Sequence, residues 1–164
     1  ACLRHPGDVT MANIACLVNQ TGPLYVHPEG VVRRTHFHTM AMYANLLQPL
    51  VVGADVESDR ITQGESSVAM VDAIATVDET GEHWAVAIMN RHPSEAVRCT
   101  IELGPQPIDG TYQATLLTGD SPDAYNDIEH PRRVVPRATE LIFEDGTVSL
   151  PPHSLVIVEL PLAK

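Results

Sequence analysis

From Ser67 onward apolar and polar positions alternate along the chain with a period of two, the signature of half-buried β-strands. Ala69, Val71, Ala73, Ala75 and Val77 share one face; Met70, Asp72, Ile74, Thr76 and Asp78 share the other. Glu79–Glu82 forms a turn and His83–Asn90 the return strand. Val97, Cys99, Ile101 and Leu103 then face inward, with Arg98, Thr100 and Glu102 outward. Pro105–Gly110 turns the chain, and Tyr112, Ala114 and Leu116 alternate with Gln113 and Thr115. Gly119–Asp127 is a polar loop. Asp145-Gly146, between the apolar runs Thr139–Phe143 and Thr147–Leu150, is a hairpin signal, because glycine accepts positive φ without steric cost. Pro151-Pro152 cannot donate to a ladder, so the last run restarts at Ser154. Ser154–Leu160 is apolar on both faces and predicts a strand buried on both sides. About eight strands at this spacing, with no helical segment between them, predict an antiparallel β-sandwich of jelly-roll or Greek-key type.

The first fifty residues carry a different pattern. Pro6-Gly7-Asp8 is a breaker cluster, and Val9–Val18 is an apolar run compatible with a buried parallel strand or a helix. Asn19 ends it, Gln20–Pro23 is a loop, Leu24–Val26 a short extended piece and His27–Gly30 a turn. Thr35 is placed as a helix N-cap. Phe37, Met40, Ala41, Ala44 and Leu47 form one stripe at helical spacing, and the helix should stop near Gln48, before Pro49. Strand, loop and helix make one half-unit of an α/β architecture, which cannot bury its own strand. Leu50–Val56 opens the second region, and Glu57–Ser67 reads as a polar loop. The expected division is therefore residues 1–48 and residues 49–164.

Composition narrows the class. The 164 residues carry a formal charge of −11, which argues against a nucleic-acid or anionic-membrane partner. No apolar run approaches the roughly 18–20 residues that span a bilayer, and the start has no apolar signal-peptide segment. It also has no initiator Met and reads as beginning partway through an element. Cys2, Cys16 and Cys99 are widely spaced and odd in number, which points to a reduced, cytoplasmic protein without disulfides. No Cys/His ligand spacing or cofactor motif is present. Carboxylate pairs such as Asp78/Glu79 and Glu144/Asp145 fall at turns, where they are solvated hairpin residues rather than an acid/base pair. The serines lack the Gly-x-Ser-x-Gly elbow of a serine hydrolase. Trp84 shares a face with Val86 and Ile88, which places it toward the core rather than on a sugar-stacking surface.

Four motifs in order carry a family resemblance across nearly the whole chain. These are Met11-Ala12-Asn13-Ile14-Ala15-x-Leu17-Val18-Asn19; Arg33-Arg34-Thr35-x-Phe37-His38-x-x-x-Met42-Tyr43; Asn126-x-x-Glu129-x-Pro131-x-x-Val134-Val135-Pro136; and Leu150-Pro151-Pro152-x-Ser154-Leu155, closing at Leu160. Together they resemble the C-terminal end of an α-L-arabinofuranosidase of glycoside hydrolase family 51. The resemblance implies a parent enzyme with a (β/α)8 barrel followed by a jelly-roll sandwich. That enzyme would remove terminal non-reducing α-L-arabinofuranosyl residues with retention, using two glutamates, and would assemble as a homo-oligomer. Those glutamates lie on earlier barrel strands in Asn-Glu and Asp/Glu-Glu-Trp contexts, which do not occur here; the chain is thus expected to be a non-catalytic C-terminal fragment. Residues 1–48 would be the last strand and helix of the barrel. The family often carries a sugar-contacting Gln near the end of that strand, where this chain has Cys16, with Asn19 the next polar candidate. The rival expectation is a non-catalytic carbohydrate-binding or assembly sandwich.

Overall fold

The computed structural model describes residues 2–5, 7–14, 16–104 and 106–161. Pro6 of the breaker cluster, Ala15 of the Val9–Val18 run and Pro105 of the third turn lie outside them. A 3-10 turn at Cys2–Arg4 precedes a hairpin of β1 (Leu24–His27) and β2 (Gly30–Arg33), then α1 (Thr35–Leu46). The strands that follow are β3 (Leu50–Val52), β4 (Arg60–Gln63), β5 (Ser66–Ala69), β6 (Val71–Val77), β7 (His83–Asn90), β8 (Val97–Thr100), β9 (Glu102–Leu103), β10 (Gln106–Pro107), β11 (Gly110–Leu117), β12 (Arg137–Phe143), β13 (Thr147–Leu150) and β14 (Ser154–Pro161).

Six strands form one antiparallel sheet in the order β12-β11-β14-β7-β6-β3. The final strand β14 sits in its middle, paired with β11 on one side and along its whole length with β7 on the other. That position explains why both its faces are apolar. Val156, Val158 and Leu160 enter one core with Val86 and Ile88 of β7, Phe143 of β12 and Val148 and Leu150 of β13. Leu155 and Ile157 enter a second core on the opposite face, with Ala85, Ala87, Ile74 and Leu117. The first core is closed by the two-stranded sheet β13-β8, which supplies the second layer of the sandwich. The second is closed by α1, through buried Met42 and the flanking Tyr43, Leu46 and Leu47, and by Val134 and Ala124 of the long loop after β11.

The Asp145-Gly146 turn is where the chain changes layer. Asp145 (φ 48°) and Gly146 (φ 73°) are both left-handed, as a tight two-residue hairpin turn requires. Only Glu144 and Thr147 bridge across it, because β12 continues in the large sheet while β13 pairs with β8. The predicted turn is present, but its two strands belong to different layers.

Three other expectations need correction. Glu57–Ser67 is not all loop: β4 and β5 form a hairpin across Gly64. That hairpin is almost entirely exposed, so no apolar alternation marks it, and Arg60 holds its partner strand through Ser67 Oγ and the Ser67 carbonyl at 2.8 Å each. Thr35 does not cap α1. Arg34 occupies the cap position without a side-chain bond, and Thr35 Oγ1 is out of solvent with no partner among the described residues. The run Val9–Val18 forms neither helix nor strand ladder among its described residues; Val18 makes one isolated parallel bridge to Leu24. Met11 (75% exposed) and Leu17 (67%) lie open to solvent.

Candidate functional site

The two candidate binding residues, Cys16 and Asn19, sit on one tight surface loop leading into β1. Cys16 (φ 61°), Asn19 (φ 57°) and Gln20 (φ 39°) all adopt the left-handed conformation, which is uncommon for residues with a side chain. The loop is closed from within. The Asn19 amide donates to the Leu24 carbonyl at 2.7 Å, its carbonyl accepts from Gly22 at 2.6 Å, and its side-chain Oδ1 accepts from the Val26 amide at 2.7 Å. A Cβ on Gly22 would stand 2.6 Å from the Cys16 carbonyl oxygen, so the close approach needs glycine. The Cys16 thiol points back to Gln20 Oε1 at 3.5 Å. Asn19 Oδ1 is thus committed to the backbone, which leaves Nδ2 as the donor of that side chain.

Arginines hold this loop against the start of the helix. The Arg34 guanidinium donates to the Gln20 carbonyl and, at 3.2 Å, to the Gly22 carbonyl, and lies 5.2 Å above the Tyr25 ring. Arg33 stacks over Phe37 at the same distance. Burial and the Arg33 charge both push the His38 imidazole below its ordinary value, which favours the neutral ring near the positive end of the helix dipole.

The loop 118–136 reaches this region from the sandwich. Asn126 is buried (3% exposed); its Nδ2 donates at 2.8 Å to both the Arg33 and the Val134 carbonyls, and its Oδ1 accepts from the Val134 amide at 2.7 Å. One side chain therefore closes its own loop and ties it to the residue pair preceding α1. The spacing of the Asn126…Val134 motif is the spacing of this clasp. Around it Arg133 grips the Asp120 carboxylate through Nε and Nη2, and the His130 amide donates to Asp127 Oδ1 at 2.5 Å. The exposed Tyr125 ring stands between Ala124, which packs on the second core, and buried Asn126.

A second polar cluster lies on the helix side of the large sheet. Asp72 of β6 accepts from Arg4 and, at 2.6 Å, from Arg91. Partial burial alone would raise this carboxyl, but the two arginine bonds prevail and hold it below the usual range. A cavity of about 300 Å³ beside it is lined by Leu3, Arg4, Tyr43, Asp72, Ile74 and Met89 among others. Asp78 is also held low, chiefly by the Thr80 hydroxyl, and Asp120 by Arg133. These three carboxyls are all pushed toward the ionised form, opposite to what a general acid needs. Trp84 packs against the first core, as its alternation predicts, and its indole N–H donates to the Gly81 carbonyl at 3.1 Å.

The sequence motifs include Asn126 and Arg34 but give neither a role, and none of them contains Tyr125. A buried amide in a Pro- and Asp-rich loop leaves no periodic signal; its partners are 93 and 8 residues away.

These observations define a two-layer β-sandwich domain with one helix docked on the outer face of its larger sheet. A family model described as the alpha-L-arabinofuranosidase C-terminal domain matches residues 1–154. The chain belongs to that family. It is 29% identical over 161 residues to an intracellular exo-α-(1→5)-L-arabinofuranosidase of Streptomyces lividans, covering 94% of this chain and 24% of that protein. It is 25% identical over 132 residues to α-L-arabinofuranosidase C of Emericella nidulans, covering 76% and 25%. Among solved structures, the family 51 enzyme from Bifidobacterium longum superposes with a TM-score of 0.81 at 28% identity, covering 98% of this chain and 31% of that one. The arabinose complex of the Thermotoga maritima enzyme gives 0.84 at 22% identity, covering 97% and 35%; this match speaks to the fold alone. The chain spans about a quarter of the length of the curated relatives it matches.

Proposed function

We propose that this chain is the C-terminal part of an exo-acting arabinofuranosidase that removes terminal non-reducing α-L-arabinofuranosyl residues with retention. In this reading residues 1–48 are the last strand and helix of a (β/α)8 barrel, and residues 49–164 are a jelly-roll sandwich. The sandwich supports the barrel and is itself non-catalytic. The observation that carries the reading is the state of the first segment. Met11, Ile14, Leu17 and Val18 are apolar and exposed, and the bridge from Val18 to Leu24 is parallel, whereas the ladders of the sandwich are antiparallel. An apolar run of that length is the composition of an inner barrel strand, which is buried between neighbours and surrounding helices. Thr35 Oγ1, His36 Nε2 and His38 Nε2, out of solvent and unpartnered among the described residues, cluster at the same junction.

Cys16 and Asn19 then lie at the C-terminal end of the last barrel strand, where barrel enzymes contact substrate. Asn19 Nδ2 is the better placed to donate to a sugar hydroxyl. A cytoplasmic location accords with the Streptomyces relative being called intracellular, and no helix among the described residues is long and apolar enough to cross a membrane. Homo-oligomer formation belongs to the same proposal and is read by sedimentation of the barrel-containing polypeptide.

The test is hydrolysis of p-nitrophenyl-α-L-arabinofuranoside by this chain and by the polypeptide encoded with the sequence upstream of Ala1. Turnover by the longer product and none by the chain is expected. Turnover by the chain alone, or an upstream sequence encoding no barrel, overturns the reading.

A further inference from the structure

Asn126 fixes where the sandwich meets the proposed barrel. In a (β/α)8 barrel the segment from the end of a strand to the start of the next helix lies on the catalytic face. Here that segment is residues 19–34, and the carbonyl that Asn126 grips belongs to Arg33, at its end. The sandwich loop 118–136 therefore docks on the catalytic side. We infer that Tyr125, the residue beside that clasp, is a stacking platform at the rim of the catalytic face for the neutral polysaccharide that carries the arabinofuranosyl group; this rests on the reading just proposed.

Three features of the residue support the role. Tyr125 is 61% exposed, although Ala124 on one side packs into the second core and Asn126 on the other is buried. The backbone is held on both sides of it, with the Ala124 amide donating to the Ser121 carbonyl at 3.1 Å and Asn126 bonded to the Arg33 carbonyl and the Val134 amide. An aromatic ring presented on a braced loop loses little freedom when a sugar face lies on it, which is the condition for useful stacking. The charge around it selects the polymer. Asp120, Asp123, Asp127 and Glu129 outnumber Arg132 and Arg133 on the loop, and the chain as a whole carries −11, so a neutral arabinan or arabinoxylan is favoured over an uronic-acid polymer.

The experiment uses the barrel-containing polypeptide with Tyr125→Ala and Tyr125→Phe. Kinetics are measured on arabinan and on p-nitrophenyl-α-L-arabinofuranoside, which has no polysaccharide to stack. Tyr125→Ala is expected to lower kcat/KM on arabinan about 3- to 10-fold, mostly through KM, while leaving the aryl substrate unchanged. Tyr125→Phe should retain activity on both, since the ring and not the hydroxyl makes the contact. An unchanged arabinan rate, or equal losses on both substrates, overturns the inference while leaving the functional reading in place. A wild-type polypeptide inactive on both substrates overturns the functional reading, and the inference with it.

Discussion

Replacing Asn126 by Ala tests the clasp that joins sandwich to helix. The substitution removes a side chain that is 3% exposed and makes three hydrogen bonds of 2.7–2.8 Å. Two of the orphaned groups, the amide and the carbonyl of Val134, belong to a residue that is itself 3% exposed. Each buried group left unpaired costs about 1–3 kcal/mol. The third, the Arg33 carbonyl, belongs to an exposed residue and can turn to water at little cost. The expected loss is therefore about 2–6 kcal/mol, a large part of the ~5–15 kcal/mol that holds a domain of this size. Urea unfolding followed by circular dichroism reads it as a lower midpoint with an unchanged slope. Asn126→Asp sharpens the test. Its carboxylate still accepts from the Val134 amide but puts a second oxygen against the Arg33 and Val134 carbonyls. Only the protonated acid can donate to one of them, so folding raises the affinity of this carboxyl for its proton. The variant should recover stability below the ordinary carboxylate range and lose it as pH rises. A loss under ~1 kcal/mol in the Ala variant, or an Asp variant with no such pH dependence, refutes the assignment of the clasp.

Phe143→Ala should cost about 3–5 kcal/mol, since the ring is 2% exposed and meets Tyr112 edge-on with centroids 5.7 Å apart; chemical denaturation checks it. Gly146→Ala should cost about 1–2 kcal/mol, because φ is 73° and the new Cβ would stand 2.9 Å from the Ile101 carbonyl oxygen; the thermal midpoint should fall by several degrees. Asp72 has a carboxyl held lower in the folded chain than unfolded, so its contribution is present above pH ~4 and disappears as pH falls through the folded value. Asp72→Asn should accordingly be less stable than wild type at pH 7, by under ~1 kcal/mol for this partly exposed pair, and no less stable near pH 2, as paired denaturation curves would show. A polypeptide of residues 49–164 lacks Met42 and its helical neighbours and should unfold or aggregate. Burying one large apolar side chain is worth about 1.5–3 kcal/mol, and α1 contributes several.

The sandwich was legible wherever burial alternated. β7 begins and ends at His83 and Asn90 as read from the pattern, and the restart after Pro151-Pro152 gives β14 its first residue, Ser154. The exposed β4–β5 hairpin was not legible, because strands that bury nothing carry no apolar period. Layer assignment was not legible either. The turn at Asp145-Gly146 has the same residues whether its strands pair or part, and long-range contacts decide that β13 goes to β8. The site showed the same limit. Cys16 and Asn19 are named by the family resemblance and lie on a surface loop rather than in a strand, while the clasp by Asn126 joins positions 93 residues apart, beyond the reach of any local pattern.

The two-faced strand at the centre of the sheet explains why this family domain cannot be divided at residue 48 without consequence. β14 and β7 are apolar on both sides, so a sandwich partner on one face leaves Ala85, Ala87, Leu155 and Ile157 needing a cover on the other. The cover is α1, through Met42. That helix begins one residue after Arg34, whose guanidinium holds the 19–22 loop, and two after Arg33, whose carbonyl is gripped by Asn126. The apolar face of the sheet therefore fixes the helix, and the helix fixes the loop that carries the candidate sugar contact. Packing in the sandwich and geometry at that loop are one mechanical system, which on the proposed reading gives the β domain a physical reason to be joined to a catalytic barrel.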